Sequence, residues 1–425
     1  MTVAIFALVL LATIFIGMPI AFALIITGLA LMWHLGAFDW QLITLQMVNG
    51  ADSFPLLAIP FFLLAGEAMN AGGLSQRLLA LGLALVGHLR GGLGYVAIIT
   101  AILLASMSGS AIADTAALAS MLLPVMRKAG YDVGRSAGLL ASGGIIAPVF
   151  PPSIGYIVFG VAGGVSITKL FLTGIVPGIM LGLALTVTWW VVSHRDKLAV
   201  MPRQSWKQAG RALADSTLAL GLPVIVVGGL KGGLFTPTEA AVVAAVYAML
   251  VGAFVYRELT LTKLYHTMLM AVRTTAAVMF LVGAASVTAY LIAIANIPAE
   301  VTALLSPFQG NPVALMAAMM LLVVAVGTAL DFIPTILILT PVLMPLVKSS
   351  GIDPVYFGVL FVMNNAIGLI TPPVGSVLNV VSAVGRVDLT VAIKGVWPFL
   401  VAQLIVLALL TLFPQLVLVP AHFFY

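Results

Sequence analysis

Residues 122–153 read LLPVMRKAGYDVGRSAGLLASGGIIAPVFPPS, and residues 343–374 read LMPLVKSSGIDPVYFGVLFVMNNAIGLITPPV. Overlaid at a shift of 221 positions, they coincide at Pro124 and Pro345, Gly130 and Gly351, Asp132 and Asp353, and at the pairs Pro151–Pro152 and Pro372–Pro373. The register persists through Gly164 with Gly385, Gly174 with Gly395 and Pro177 with Pro398. Glycine and proline set special backbone conformations. Their recurrence at one spacing over about 55 residues therefore reads as duplication of a structural unit.

The chain around these units is too apolar to be soluble. Of its 425 residues 62% are hydrophobic and 7% charged, against roughly 25% charged in a soluble domain. At about 20 residues per crossing the apolar segments supply roughly nine to eleven spans, leaving no polar stretch large enough for a soluble catalytic domain. Residues 1–33 have no basic leader and run apolar far beyond the roughly 7 to 15 residues of a signal core, so they read as a retained first span. There is no cysteine, and the five histidines are scattered without a HExxH pair, so thiolate chemistry and a metalloprotease have no support.

In a membrane protein the placement of Lys and Arg sets orientation. The densest basic stretch, residues 194–211, reads as a solvated loop or an amphipathic helix on the cytoplasmic surface. Walking outward from it leaves only Lys169, Lys231 and Lys348 of the eighteen basic residues on the far side, provided that residues 93–127 and 312–347 each enter and leave on one side. Those two segments are the expected re-entrant hairpins. The N-terminus is then cytoplasmic and the C-terminus periplasmic. Four full spans separate the copies, so they are expected to run antiparallel. The fold class expected is an all-α polytopic membrane protein with inverted repeats, two re-entrant helical hairpins and two broken helices, an architecture that places substrate and ions near the midplane. The expected divisions are 1–92 (scaffold spans and an amphipathic arm), 93–165 (first hairpin and broken helix), 166–311 (central scaffold spans), 312–390 (second hairpin and broken helix) and 391–425 (C-terminal span).

Each unit carries polar backbone at membrane depth, which persists only where it is buried in protein or lines a wet cavity. In the first, two apolar arms of about 12 residues, each short of the ~20 needed to cross, flank SMSGSAIAD. Ser108, Gly109 and Ser110 allow a tight tip, and Asp114 lies on the helical face of Ser110. In the second, Gly327, Thr328 and Asp331 answer Gly109, Ser110 and Asp114 once a short gap is allowed. After each hairpin a helix is interrupted: at Pro148, Pro151, Pro152 and Ser153 in one copy, and at Asn364, Asn365, Thr371, Pro372, Pro373, Gly375 and Ser376 in the other. Paired prolines free carbonyls from helical bonding, and carbonyl, hydroxyl and amide oxygens suit a hard cation such as Na+. Of thirteen acids, Glu67, Asp114, Glu239 and Asp331 fall in apolar surroundings, where carboxylates are costly and usually functional. Glu239 in TPTEAA reads as a helix cap. Asp114 and Asp331 are the functional candidates, with capping of the second hairpin arm as their structural alternative.

At these residues the chain resembles the large membrane subunit (DctM/SiaM-like) of tripartite ATP-independent periplasmic (TRAP) transporters. The resemblance spans about residues 5–420 and concentrates in PFFLLAGEAMN (60–70), SGSAIADTAALA (108–119), GGIIAPVFPPSIGYIVFGV (143–161) and NNAIGLITPPVG (364–375). It implies sodium-driven import of a small organic acid, sialic acid, another sugar acid or a C4-dicarboxylate, across the bacterial inner membrane by an elevator fold of the ion-transporter superfamily. It implies no enzymatic activity and no cofactor beyond Na+ as coupling ion. Two protein partners follow, a separate small four-helix membrane subunit and a periplasmic substrate-binding protein; nucleic acid does not. The family's tip and broken-helix positions carry over onto Ser108, Gly109, Ser110, Asp114, Pro152, Ser153, Gly327, Thr328, Asp331, Pro373 and Gly375, and Asn365 joins them as a sodium or substrate ligand. GxxxxGK[ST] is absent, which suits an ion gradient as driver. The rivals are a self-sufficient sodium/dicarboxylate symporter, an intramembrane aspartyl enzyme using Asp114 and Asp331, which lacks a GxGD motif here, and a passive channel.

Overall fold

The computed structural model describes residues 2–424 apart from 197, 199, 201, 309, 329, 373 and 374. Its elements before the first repeat unit are α1 (Thr2–Phe15), α2 (Ile20–His34), α3 (Trp40–Ala51), α4 (Ala58–Ala71) and α5 (Leu74–Val86). The first unit forms α6 (Gly92–Ser108), α7 (Ala111–Lys128), α8 (Val133–Gly144) and α9 (Ile154–Gly163). Between the units run α10 (Ile167–Arg195), α11 (Trp206–Lys231), α12 (Pro237–Leu250), α13 (Leu261–Ile294) and α14 (Ile297–Leu305). The second unit forms α15 (Pro312–Gly327), α16 (Phe332–Ser349), α17 (Pro354–Gly368) and α18 (Ser376–Gly385), followed by α19 (Leu389–Leu412) and α20 (Gln415–Phe424).

Two of the identities between the units fall where helices end and begin, whereas Pro124 and Pro345 lie inside α7 and α16. Gly130 and Gly351 take φ of +78° and +69° after α7 and α16, a left-handed conformation that glycine adopts at no steric cost. Two residues later Asp132 and Asp353 cap α8 and α17, accepting the Arg135 amide at 2.7 Å and the Val355 and Tyr356 amides at 2.8 Å. Such a cap contributes about 1 kcal/mol. The starts of α7 and α16, and of α8 and α17, lie 221 residues apart, while those of α9 and α18, and of α10 and α19, lie 222 apart. One extra residue thus falls in the second break. Glu239 is the cap that TPTEAA suggests: its carboxylate accepts the Thr236 amide at 2.7 Å and Thr236 Oγ1 accepts the Glu239 amide.

Helix packing sorts the molecule into two groups. In one, α13 lies against α2, α3 and α4, α12 against α4 and α11, and α11 against α5. In the other, the units interlock reciprocally: α7 packs on α18 and α16 on α9, while α8 packs on α19 and α17 on α10. The groups meet where α6 touches α4 and α5 and where α16 touches α13 and α14. Within the expected 166–311 division, α10 packs on α6, α8, α9, α17 and α19 and also touches α11. Glycines make this possible: a Cβ at Gly94 would overlap the Trp189 ring of α10, and one at Gly174 would lie 2.6 Å from Tyr156.

Other expectations are corrected by helix length. Among the described residues seven helices are long and apolar enough to cross a membrane, fewer than the nine to eleven expected, because the remaining apolar sequence is cut into shorter pieces. Residues 1–33, read as one span, divide near Gly17–Pro19 into α1 and α2, which pack on each other. Residues 206–211 are the first turns of α11, started by a Ser205–Gln208 capping box, so the basic stretch is no separate surface helix. The hairpin arms contain 17 and 18 residues in the first unit and 16 and 18 in the second, about 24–27 Å at ~1.5 Å per residue, not the dozen expected. The α16 arm is long enough to cross.

Candidate functional site

The first tip is a two-residue link. α6 ends at Ser108, Gly109 turns the chain with φ of +63°, and Ser110 caps α7 by accepting the Ala113 amide at 3.4 Å. Asp114 is therefore not the cap. It lies one turn inside α7, only 1% exposed, where Ser108 Oγ donates to its Oδ1. Its other oxygen, Oδ2, is buried with no partner among the described residues. Ser108 also accepts the Ser110 amide at 3.2 Å, so one hydroxyl ties both arms to the turn. The tip rests on the break between α8 and α9: a Cβ on Gly109 would lie 2.6 Å from the Pro152 carbonyl oxygen and 3.1 Å from Ser153 Cα. Pro152 follows a cis peptide bond. Buried Ser153 caps α9 through the Tyr156 amide and donates to the Pro148 carbonyl. On its far side Ser108 is approached by α4, where a Cβ on Gly66 would lie 3.3 Å from Ser108 Cβ.

The second tip is built differently. α15 ends at Gly327, and the Thr328 hydroxyl turns back to the Ala325 carbonyl at 2.8 Å. Asp331 holds the cap position before α16, exposed and without a side-chain capping bond. Because α7 and α16 begin 221 residues apart, Asp331 corresponds to Ser110, with no gap required. The counterpart of Asp114 is Thr335, fully buried, whose hydroxyl donates to the Asp331 carbonyl at 2.9 Å. The pairing of Asp331 with Asp114 matched charge rather than position. Behind this tip Asn365 Nδ2 donates to the Phe332 carbonyl at 2.7 Å, and its buried Oδ1 has no partner among the described residues. A Cβ on Gly327 would lie 3.2 Å from that Oδ1. Gly375 adopts φ of +45° at the start of α18. Pro373 lies outside the described residues.

The two tips meet at one cavity of about 400 Å³ between the helix groups. Gly109, Ser110, Asp331 and Phe332 line it from the tips, Pro148, Ile154 and Leu369 from the breaks, and Pro19, Phe22 and Phe280 from α2 and α13. The Phe22 and Phe280 rings are 5.4 Å apart. The Phe332 ring reaches across to α9, where it fills the space beside Gly155. Among the described lining residues Asp331 alone is charged. The first residues of α7, α9 and α16 all border the cavity, and the positive ends of these helices favour an anionic group there. Of the residues singled out from sequence, then, Gly109, Ser110, Pro148 and Asp331 face the cavity. Ser108, Asp114, Pro152 and Ser153 form a layer behind the first tip, and Gly327 and Asn365 a layer behind the second, while Thr328 bonds back to its own helix.

Two buried amides were not among the expected ligands: Asn364, named only as part of the second break, and Gln403. Asn364 donates to the Met320 carbonyl at 2.6 Å, and Gln403 of α19 donates to the Ser142 carbonyl at 2.9 Å. Each leaves its own amide oxygen without a partner among the described residues. Gln403 was visible as the lone amide in FLVAQLIVLALL.

Comparison with known proteins places this geometry. The chain is 54% identical to a putative TRAP transporter large permease protein of Haemophilus influenzae and 52% identical to the 2,3-diketo-L-gulonate TRAP transporter large permease protein of Escherichia coli, each match covering 99% of both chains. It is 37% identical to the sialic acid TRAP transporter large permease protein of Vibrio cholerae over 97% of both chains. Among solved structures it shares a fold with the Alcanivorax borkumensis YdaH transporter, at a TM-score of 0.65 and 15% identity, covering 88% of this chain and 87% of that one. The model of the tripartite ATP-independent periplasmic transporter DctM component matches residues 7–416, so the chain is a multi-pass membrane protein belonging to the DctM family of TRAP transporter large permeases.

Proposed function

We propose that this permease imports a small organic acid, driven by sodium, across the bacterial inner membrane, with its N-terminus in the cytoplasm and its C-terminus in the periplasm. The observation that carries the reading is the convergence of both tips on one cavity between two separately packed helix groups. The reciprocal packing of α7 on α18 and α16 on α9 supports an inverted repeat, the arrangement that brackets a central site in many secondary transporters. The group holding both hairpins carries the site, and the group of α2, α4, α12 and α13 stands against it, as an elevator motion requires. Buried oxygens without partners cost about 1–3 kcal/mol each. Asp114 Oδ2 and Asn365 Oδ1 would gain their missing partner from a sodium ion at each tip.

The substrate acid would place its carboxylate at the helix ends. Asp331 accepts hydrogen bonds and repels a second negative charge, which favours a hydroxylated monocarboxylate over a C4-dicarboxylate. The relatives named for 2,3-diketo-L-gulonate, at 52% identity, and for C4-dicarboxylate, at 36%, rank in the same order. The partners would be a small membrane subunit and a periplasmic binding protein that delivers the acid.

The test is uptake of labelled sugar acids and dicarboxylates into proteoliposomes, with and without a sodium gradient and the binding protein. Asp331→Ala and the double change Ser110→Ala, Asp114→Ala abolish sodium-dependent uptake while the protein stays assembled. Uptake that needs no binding protein would establish the self-sufficient symporter instead.

A further inference from the structure

A second cavity of about 420 Å³ lies away from the hairpin tips, lined by Val86 at the end of α5, Leu89 just after it, Tyr95 and Ile99 of α6, and Thr186, Val187 and Trp190 of α10. It straddles the junction of the two helix groups, since α5 packs on α11 and α6 on α8. Its walls are apolar and its helix faces are open: Val187 is 63% exposed and Trp190 55%. No charged side chain is among the described residues lining the groove, and Arg90 follows Leu89 at one end of it. Gly91 is seated against α10, where a Cβ would lie 2.5 Å from Ser193 Cβ, and its carbonyl accepts the Trp189 indole N–H at 2.8 Å. This brings Arg90 to the level of the last turn of α10, which ends in His194 and Arg195. The His194 ring lies 4.8 Å from the Trp190 ring, and its Nδ1 donates to the Trp190 carbonyl at 2.8 Å, leaving Nε2 as its remaining polar atom. The nearby carboxylate of Asp196 is held by Arg135. Arg90 and Arg195 form no ion pair among the described residues.

An apolar groove that opens sideways, carries Trp and Tyr, and has Arg90 next to its lining residue Leu89 and Arg195 in the last turn of α10 matches one amphiphile in charge and shape. We propose that it binds an anionic diacyl phospholipid, with an acyl chain along Val187 and Ile99 and the phosphate at Arg90 and Arg195. Basic pockets between membrane helices recognise anionic headgroups in this way, and aromatic side chains mark the headgroup level. Because the groove is shared by α5 and α6, the lipid spans the boundary between the two helix groups.

Native mass spectrometry of the full-length chain in detergent, titrated with dioleoyl phosphatidylglycerol or dioleoyl phosphatidylcholine, tests this. The wild type binds one phosphatidylglycerol in preference to phosphatidylcholine, and free glycerol phosphate does not displace it. Arg90→Gln with Arg195→Gln weakens that binding roughly thirtyfold, from about fivefold per basic group beside the headgroup. Lys207→Gln with Arg211→Gln, which removes the same charge from exposed α11, leaves it unchanged. Val187→Trp, which fills the groove and spares the arginines, also removes the bound lipid, and unchanged melting temperatures show that the variants fold. Equal binding of the two lipids, displacement by glycerol phosphate, or an equal loss in the α11 variant would overturn the proposal. So would a photo-crosslinking residue at position 187 that captures a polypeptide rather than a phospholipid in membranes holding the whole transporter.

Discussion

Gly109→Ala tests whether the first tip is fixed by its seat on the broken helix. Alanine at φ of +63° carries the strain of a left-handed L-residue, about 1–2 kcal/mol. Its Cβ would also lie 2.6 Å from the Pro152 carbonyl oxygen and 3.2 Å from the Ile154 nitrogen. Those are backbone atoms of a buried turn that cannot swing aside, and overpacking of this kind adds roughly 1–3 kcal/mol. Gly130→Ala is the matched control, since Gly130 has φ of +78° and a Cβ there meets nothing within 4 Å. The control therefore carries only the strain, and the difference isolates the seat. A penalty of 1–3 kcal/mol lowers the population of the seated tip by about 5–150-fold. Both variants would be compared by thermal melting in detergent and by sodium-driven uptake in proteoliposomes. Gly130→Ala should melt slightly low and transport normally, whereas Gly109→Ala should melt lower still and lose at least about 5-fold in uptake. If the two variants melt together and transport alike, the tip is not held by Pro152 and Ser153, and the picture of a hairpin registered on a broken helix is wrong.

Two further changes separate the roles of the acids. Ser108→Ala removes the one hydrogen bond to the carboxylate of buried Asp114 among the described residues, an interaction with a charged group of about 1.5–3 kcal/mol; the sodium concentration for half-maximal uptake should shift about tenfold or more, and an unchanged sodium dependence would separate Asp114 from the ion. Asp331→Asn keeps the size of the one charged side chain among the described residues lining the cavity but removes its repulsion. In competition assays it should narrow the preference for hydroxylated monocarboxylates over dicarboxylates, and an unaltered ranking would show that Asp331 does not select the substrate.

The hairpins and breaks were legible in the sequence because their punctuation is local. Gly109, Gly130, Gly351 and the proline pairs act through their own backbone, and capping aspartates through the next turn. The arm lengths were misread because serines were counted against the helix. The Ser106 hydroxyl returns to the Leu103 carbonyl at 2.6 Å, so its polarity is satisfied within the helix and α6 runs on to Ser108. The grouping of α10 depends on which side chains meet Gly94 and Gly174; nothing in the hydropathy of a 29-residue apolar helix states its neighbours. The same holds for the cavity walls at Phe22 and Phe280, ordinary apolar residues that become functional only through where α2 and α13 are packed.

The two tips hold matching positions in the sequence repeat, and on the proposed function their differences would give them separate tasks. At the first, a serine caps the helix and the carboxylate lies buried one turn in. At the second, the carboxylate stands at the cap position facing the cavity, and a buried threonine occupies the inner site. On the proposed function the first arrangement would enclose a cation, and the second would present charge to whatever enters the cavity. If so, stability and transport should respond oppositely to changes at the second tip. Serine caps a helix about as well as aspartate, so Asp331→Ser should melt at or above the wild type while losing uptake. Thr335→Asp places a carboxylate where Thr335 now bonds its own backbone, and an uncompensated buried charge costs about 3–5 kcal/mol. That variant should melt well below the wild type. Normal melting of Thr335→Asp would mean that the inner position of the second tip already accommodates a charge, and that the two tips are equivalent after all.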